Sequence, residues 1–260
     1  MNENLLTPHQ TEISRRVLAE ESARRDHVVV SLSGAHAYGF PAPDSDLDLK
    51  AVHVEPAPRL LGLRPPNPHS SRMELIEGVE IDYSSNEVGP VLSALLAGNG
   101  NYFERFLGAC TLQAGPGFEE LREIVRRSLS KRVHRHYSGF ARGQLREWEK
   151  TEFRSAKKLL YVLRTTLTGT HLLLTGEMQT DLTELMDSYG LAQARELIEA
   201  KRRGERAKLA PEVSERWKGT LSSAFERLDS ARERSPLPDD APNADELDDW
   251  LVRFRLSRMS

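Results

Sequence analysis

Asp44, Asp46 and Asp48 fall within five residues of PDSDLDLK (Pro43–Lys50), just after a segment bounded by Gly34 and Gly39. Carboxylates crowded in this way repel one another, and a divalent cation removes the cost. Oxygen donors favour Mg2+ or Mn2+ over zinc. Asp46 and Asp48 stand two residues apart, so on an extended chain both point to one face, with Cα atoms roughly 6–7 Å apart. Leu47, Leu49 and Ala51 take the other face, where a core would cover them. Glycines at 34 and 39 let a backbone turn tightly and approach phosphates with its N–H groups. A solvated acidic loop is the plainer alternative.

The elements that must position these residues can be read from periodicity. Residues 8–25 carry Ile13, Val17 and Leu18 at helical spacing. HVVVSLS (His27–Ser33) reads as a buried strand stopped by Gly34. DLDLKAVHV (Asp46–Val54) alternates with the period of a strand covered on one face. Residues 55–71 are proline-rich and read as loop. VEIDYS (Val79–Ser84) is a third alternating strand, and residues 88–97 a helix closed by Gly98. Three glycines and a proline between Leu107 and Gly117 place a domain boundary near 115. Beyond it the periods lengthen, and helices are expected near 118–128, 131–150, 155–175, 180–203 and 211–230. SPLPDDAPN (Ser235–Asn243) reads as a linker. Residues 244–256 read as a terminal helix docked through Trp250, Leu251 and Phe254. The organisation expected is 1–115, 116–234 and 235–260, in the α+β class: a small mixed sheet with flanking helices, then a helical domain.

With 260 residues, 38 % hydrophobic, 29 % charged and a net charge of −3, the composition is ordinary for a globular chain. Its distribution is uneven. Residues 40–90 hold nine Asp/Glu and four Lys/Arg; residues 116–158 hold twelve Lys/Arg and six Asp/Glu. An acidic segment followed by a basic one suits a cation site facing a phosphate-bearing ligand, though salt-bridged helix surfaces give the same counts. The single cysteine, Cys110, excludes an internal disulfide and a cysteine zinc cluster, and reads as a small core residue. The N-terminus has no signal-type apolar core, and no stretch approaches the ~20 apolar residues that span a bilayer. A cytoplasmic location without membrane attachment is the simplest expectation.

Gly34-x-x-x-x-Gly39, five residues, then Ser45-Asp46-x-Asp48 resembles the signature of the DNA polymerase beta-like nucleotidyltransferase superfamily. Ala37-Tyr38-Gly39, Pro43 to Leu49, Asp82 and Gly98-Asn99 extend the resemblance to a bacterial branch of predicted nucleotidyltransferases, some associated with RNA repair. It covers roughly residues 27–110 and is weaker in ARGQL (Ala141–Leu145) and Lys157–Glu177. The resemblance implies an enzyme that moves an NMP from an NTP such as ATP to an acceptor hydroxyl, releasing pyrophosphate. Asp46 and Asp48 would ligate two metal ions, Mg2+ or Mn2+. Asp82 would join them on the ion that activates the hydroxyl and serve as its base. Ser33, Gly34, His36, Gly39 and Ser45 would lie along the nucleotide. A departure stands at Ala35, where the superfamily has a phosphate-binding serine; Ser33 or His36 could take its place. The acceptor implied is an RNA end. Transfer to a protein or a small molecule, and a non-catalytic nucleotide- or RNA-binding module, remain alternatives. Base and oligomeric state are left open.

Lys157, Tyr161, Arg164, Thr168 and His171, spaced 4, 3, 4 and 3, form a polar stripe opposite Leu159, Leu163 and Leu167. In the superfamily a helical domain often closes the nucleotide cleft, so Lys157, Tyr161 and Arg164 are expected to touch nucleotide; a plain surface helix is the alternative. Lys50 shares a strand face with Asp46 and Asp48 and reads as their counter-charge, with contact to a phosphate as the alternative. His134 and His136 sit among basic residues, which disfavours a metal there. His53 and His69 read as ordinary strand or loop residues, and KRRGERAK (Lys201–Lys208) as a basic helix end or a contact for RNA phosphate.

Overall fold

Thr7 opens the first helix with a reciprocal cap, its hydroxyl accepting from the Gln10 backbone while Gln10 accepts from Thr7 N–H. The structure is a computed structural model and describes residues 5–152, 154–203 and 208–258. Two units emerge. The first gathers residues 5–36, 46–129 and 241–258, the second 37–45 and 130–240.

The first unit is built on a five-stranded sheet. Helix α1 (Pro8–Ser22) leads into β1 (Asp26–Ser33), and a single turn, α2 (Gly34–Ala37), follows. After the excursion through 37–45 come β2 (Leu47–Val54), a short α3 (Ala57–Leu60), and the hairpin of β3 (His69–Ile76) and β4 (Val79–Glu87). Then follow α4 (Val88–Leu96), α5 (Gly100–Leu107), β5 (Thr111–Ala114) and α6 (Phe118–Arg127). The strand order is β3-β4-β2-β1-β5. Only β2 and β4 run parallel, so the sheet is mixed. In their register Leu49 pairs with Tyr83 and Asp48 with Asp82. Leu47, Leu49, Ala51, Ile81 and Tyr83 are fully buried, which fixes the register: a one-residue slip would turn the core face to water.

The second unit is helical: α7 (Val133–Glu149), α8 (Ala156–Thr175), α9 (Leu182–Ser188), a 3-10 turn (Ala192–Ala194), α10 (Arg195–Arg202) and α11 (Pro211–Arg234). Ser155 caps α8 by accepting from Lys158 N–H, and Gly176, at φ 74°, ends it. Leu159, Leu160, Leu163, Thr166, Leu167 and Leu172 are all buried, so α8 is the unit's central helix rather than a surface one. The chain returns to the first unit with α12 (Ala244–Leu256). There Trp250 is buried against Phe254 and donates to Glu120, and Arg255 pairs with the buried Glu87 that caps α4.

Several expectations need correction. The sheet has five strands, not three. HSSRMELI lacks an alternating pattern because β3 is an edge strand with most side chains exposed on both faces. TLQA is short and lies inside a stretch read as punctuation. The loop expected over 55–71 therefore holds α3 and the start of β3. The helix expected over 180–203 is broken near Gly190, at φ 70°. The boundary expected near 115 lies after α6 instead, because Phe118, Leu121 and Val125 bury in the first unit, and the terminal helix belongs there too. Cys110 is half-buried rather than core and lines a groove of about 380 Å³ with Leu5, Leu18 and Leu32.

Candidate active site

Ser33, Asp48 and Asp82 are neighbours across three adjacent strands. Ser33 pairs with Asp48 between β1 and β2, and Asp48 with Asp82 between β2 and β4. Paired residues project to the same face, so the hydroxyl and both carboxylates share one side of the sheet. Asp46 lies just before β2, with Leu47 buried behind it. The Asp48 side chain is 16 % exposed and that of Asp82 35 %. Burial, and then the charge of Asp46, push the Asp48 carboxyl up to about 6, with Asp82 adding to the rise and Lys50 opposing it.

Gly34 is required here for a specific reason. Its φ is +65°, and a Cβ built on it would fall 1.8 Å from Oδ2 of Asp48. The carboxylate lies where any side chain at 34 would be, so the turn after β1 and the aspartate on β2 are made for each other. Ala35 is buried at 3 % exposure. His36 is buried as well, its Nδ1 3.2 Å from the Leu5 carbonyl oxygen.

The ammonium of Lys50 stands between the carboxylates, 2.9 Å from Oδ2 of Asp82 and 3.3 Å from Oδ1 of Asp48, and donates to the Asp82 carbonyl oxygen at 3.2 Å. The counter-charge role expected of Lys50 matches this geometry. Among the described residues no three His, Cys, Asp or Glu side chains are gathered as a ready ligand cage. The donor set nevertheless fits a hard divalent cation: the groups are all carboxylates, Asp46 and Asp82 both raise the proton affinity of Asp48, and a cationic group bridges two of them already.

The other face of the same strands is different. His27 reaches Tyr83 Oη at 2.7 Å and Ser22 Oγ at 3.2 Å, while His53 lies 2.7 Å from Ser85 Oγ. Arg25 donates to Tyr83 Oη and pairs with the buried Glu21. Burial, seconded by the charge of Arg25, holds both His27 and His53 down at about 4. Nothing in the sequence singles out this buried network, because its members lie 22 to 85 residues along the chain and meet only through strand pairing.

In the second unit, two residues of the expected nucleotide stripe, Tyr161 and Arg164, pack against Tyr38 and Phe40. Arg164, 2 % exposed, lies over the Tyr38 ring at 3.8 Å, and Tyr161 packs edge-on against Tyr38 and Phe40. Thr168 is fully buried and His171 faces Tyr189. The stripe is therefore not an open wall: of its five residues Arg164 and Thr168 are buried, and Lys157, Tyr161 and His171 keep partial exposure. Gly39, at φ +81°, lies where a Cβ would meet the Asp181 carboxylate. Ser45 Oγ accepts from Ala42 N–H and from the ammonium of Lys201, which also donates to the Phe40 carbonyl oxygen. Lys201 is 1 % exposed, so the basic helix end expected over Lys201–Lys208 begins as an internal clamp. Residues 204–207 lie outside the described residues. His134 pairs with Asp229 and His136 stacks on Phe140.

The family described as RlaP, RNA repair pathway DNA polymerase beta family, matches residues 12–253. The uncharacterized protein MJ0002 of Methanocaldococcus jannaschii is 30 % identical over 166 residues, spanning 62 % of this chain and 67 % of that one. Among solved structures, a nucleotidyltransferase-like protein from Exiguobacterium sibiricum aligns over 86 % of this chain and 74 % of its own, at 10 % identity and a TM-score of 0.35. No helix among the described residues is long and apolar enough to cross a membrane.

Proposed function

Because the chain belongs to the RNA repair pathway DNA polymerase beta family, we propose that it transfers an NMP from an NTP to an acceptor hydroxyl at an RNA end. The observation that carries this reading is the registration of Asp48 with Asp82 on parallel strands, with Gly34 leaving room for the Asp48 carboxylate. Asp46, Asp48 and Asp82 would hold Mg2+ or Mn2+. Such an ion supplies charge neutralisation on the phosphates and on the entering and leaving oxygens.

The chain's own groups divide the remaining work. Asp82 is the more open of the two paired carboxylates and takes the proton of the attacking hydroxyl. Ser33 and Gly34, at the end of β1 beside Asp48, face the phosphates. Ala35 is buried and supplies no hydroxyl, which leaves Ser33 as the side chain for that contact. Tyr161 and Arg164 hold Tyr38 and Phe40, and Lys201 holds Ser45, so their part is to shape the chain that leads into Asp46. Lys157, half-exposed near the start of α8, is the stripe residue retained for nucleotide contact.

Incubation with each α-³²P-labelled NTP, Mn2+ or Mg2+, and a pool of tRNA and short RNA ends tests the reading. Label on RNA that disappears with EDTA and in Asp46→Asn is the expected result. Label on protein or on a small molecule would replace the acceptor and keep the chemistry. NTP binding without transfer to anything would make the chain a binding module.

A further inference from the structure

The ammonium of Lys50 uses its three donors on three acceptors: Oδ2 and the carbonyl oxygen of Asp82, and Oδ1 of Asp48. Its side chain is 17 % exposed, so the group is held rather than solvated. By register it lies opposite Ser31 on one side and Ser84 on the other, neither of which is charged. Two carboxylates from different strands are thus drawn together by one cation carried on the strand between them.

We propose that Lys50 is a resident placeholder for the divalent cation. In the metal-free protein its ammonium keeps Asp48 and Asp82 side by side against their mutual repulsion. An entering cation must take both carboxylates from it, so Lys50 sets the cation concentration at which the site fills. It is a positioning residue, acting through the two aspartates. This inference rests on the reading of those aspartates as cation ligands given above. The alternative is a structural brace without which the ligands are badly placed, and the two make opposite predictions. Removing a competitor strengthens cation binding, whereas removing a brace weakens it.

The measurement is binding of Mn2+ alone, followed by the electron paramagnetic resonance signal of the free ion, for the wild type, Lys50→Met, Lys50→Arg and Asp48→Asn. Lys50→Met is expected to bind Mn2+ roughly tenfold more tightly, since a unit charge at hydrogen-bond distance has been removed. Lys50→Arg is expected to return to wild-type affinity, and Asp48→Asn to lose the site. In EDTA, Lys50→Met is expected to melt below the wild type, and Mn2+ to raise its midpoint by more. If Lys50→Met does not fold without metal, Lys50→Gln gives the same comparison. Equal or weaker Mn2+ binding after loss of the charge would overturn the placeholder and leave the nucleotidyltransferase reading standing. Absence of Mn2+ binding in both the wild type and the neutral variants would overturn both.

Discussion

Asp82 and Tyr83 are neighbours on β4 and look in opposite directions. On the Asp82 face, carboxylates of like sign are crowded and partly open to solvent, bridged by one ammonium. On the Tyr83 face, Tyr83, His27, Ser85 and His53 are buried, and the two imidazoles are driven toward the neutral form while their ring nitrogens lie within hydrogen-bond distance of hydroxyls. Both faces hold titratable groups at neighbouring positions of the same strands. The first keeps charge together at an electrostatic cost that a ligand could relieve; the second arranges neutral partners so that the fold itself is satisfied. Crowded like charge that the fold does not need is the mark of a site.

Exchanging one group on each face gives the largest expected contrast. Asp82→Asn is predicted to reduce nucleotide transfer by about 10²–10³-fold or more, the scale seen when one electrostatic partner of a transition state is lost. Its thermal midpoint should stay close to wild type. Tyr83→Phe is predicted to do the reverse, lowering stability by about 1–3 kcal/mol by leaving buried partners unsatisfied while the rate is kept. A calorimetric scan and a transfer assay on the two proteins decide this. Comparable losses of rate in both would mean that the network behind the sheet also serves the reaction.

The two faces were not equally legible in the sequence. Asp46 and Asp48 declare themselves by spacing, because a two-residue interval on a strand already places them together. Alternation in VEIDYS gives the strand, but Asp82 as a third carboxylate is implied only by the family resemblance, and its pairing with Asp48 comes from the register of the two strands. His27, Tyr83, Ser85 and His53 carry no such signal, since each is an unremarked polar residue until strand register brings it to the others. The stripe of α8 shows a different limit. Helical periodicity shows which residues share a face but not what covers that face, and here Tyr38 and Phe40 cover it from more than a hundred residues away. Edge strand β3 was invisible because most of its side chains are exposed on both faces, so burial imposed no pattern.

A smaller contrast comes from substitutions that act on the two faces through neighbours. Gly34→Ala puts a methyl group into the space of the Asp48 carboxylate and strains a backbone at φ +65°. Transfer is predicted to fall by roughly 10–10²-fold as that carboxylate is displaced, with a stability cost on the order of 1–2 kcal/mol. Ser85→Ala removes the hydroxyl partner of the buried His53. It is predicted to cost a comparable 1–3 kcal/mol or so without changing the transfer rate. Steady-state kinetics beside urea unfolding separate the pair. An unimpaired Gly34→Ala enzyme would show that Asp48 tolerates a different position.

The finest distinction is in pH, where the faces pull in opposite senses. The Asp48 carboxyl is raised from 3.8 to about 6, so the folded protein holds that proton more tightly than the unfolded chain. Its contribution to stability is fully present below pH 3.8 and is lost as pH rises through 6. The imidazoles of His27 and His53 are lowered from 6.5 to about 4, so the unfolded chain holds those protons more tightly. Their contribution is fully present above pH 6.5 and is lost as pH falls through 4. Between pH 4 and 6 the carboxyl offsets about one of the two imidazoles, so in EDTA the wild type is predicted to climb with pH by roughly the contribution of the other. Asp48→Asn removes one trend alone, so its unfolding midpoint in urea should climb more steeply with pH across that interval. His53→Asn removes part of the other and should flatten the climb. Parallel curves for the wild type and Asp48→Asn would mean that the carboxylate face is not under the electrostatic pressure its geometry implies. A steeper curve for Asp48→Asn would measure that pressure directly, in the absence of any cation or substrate.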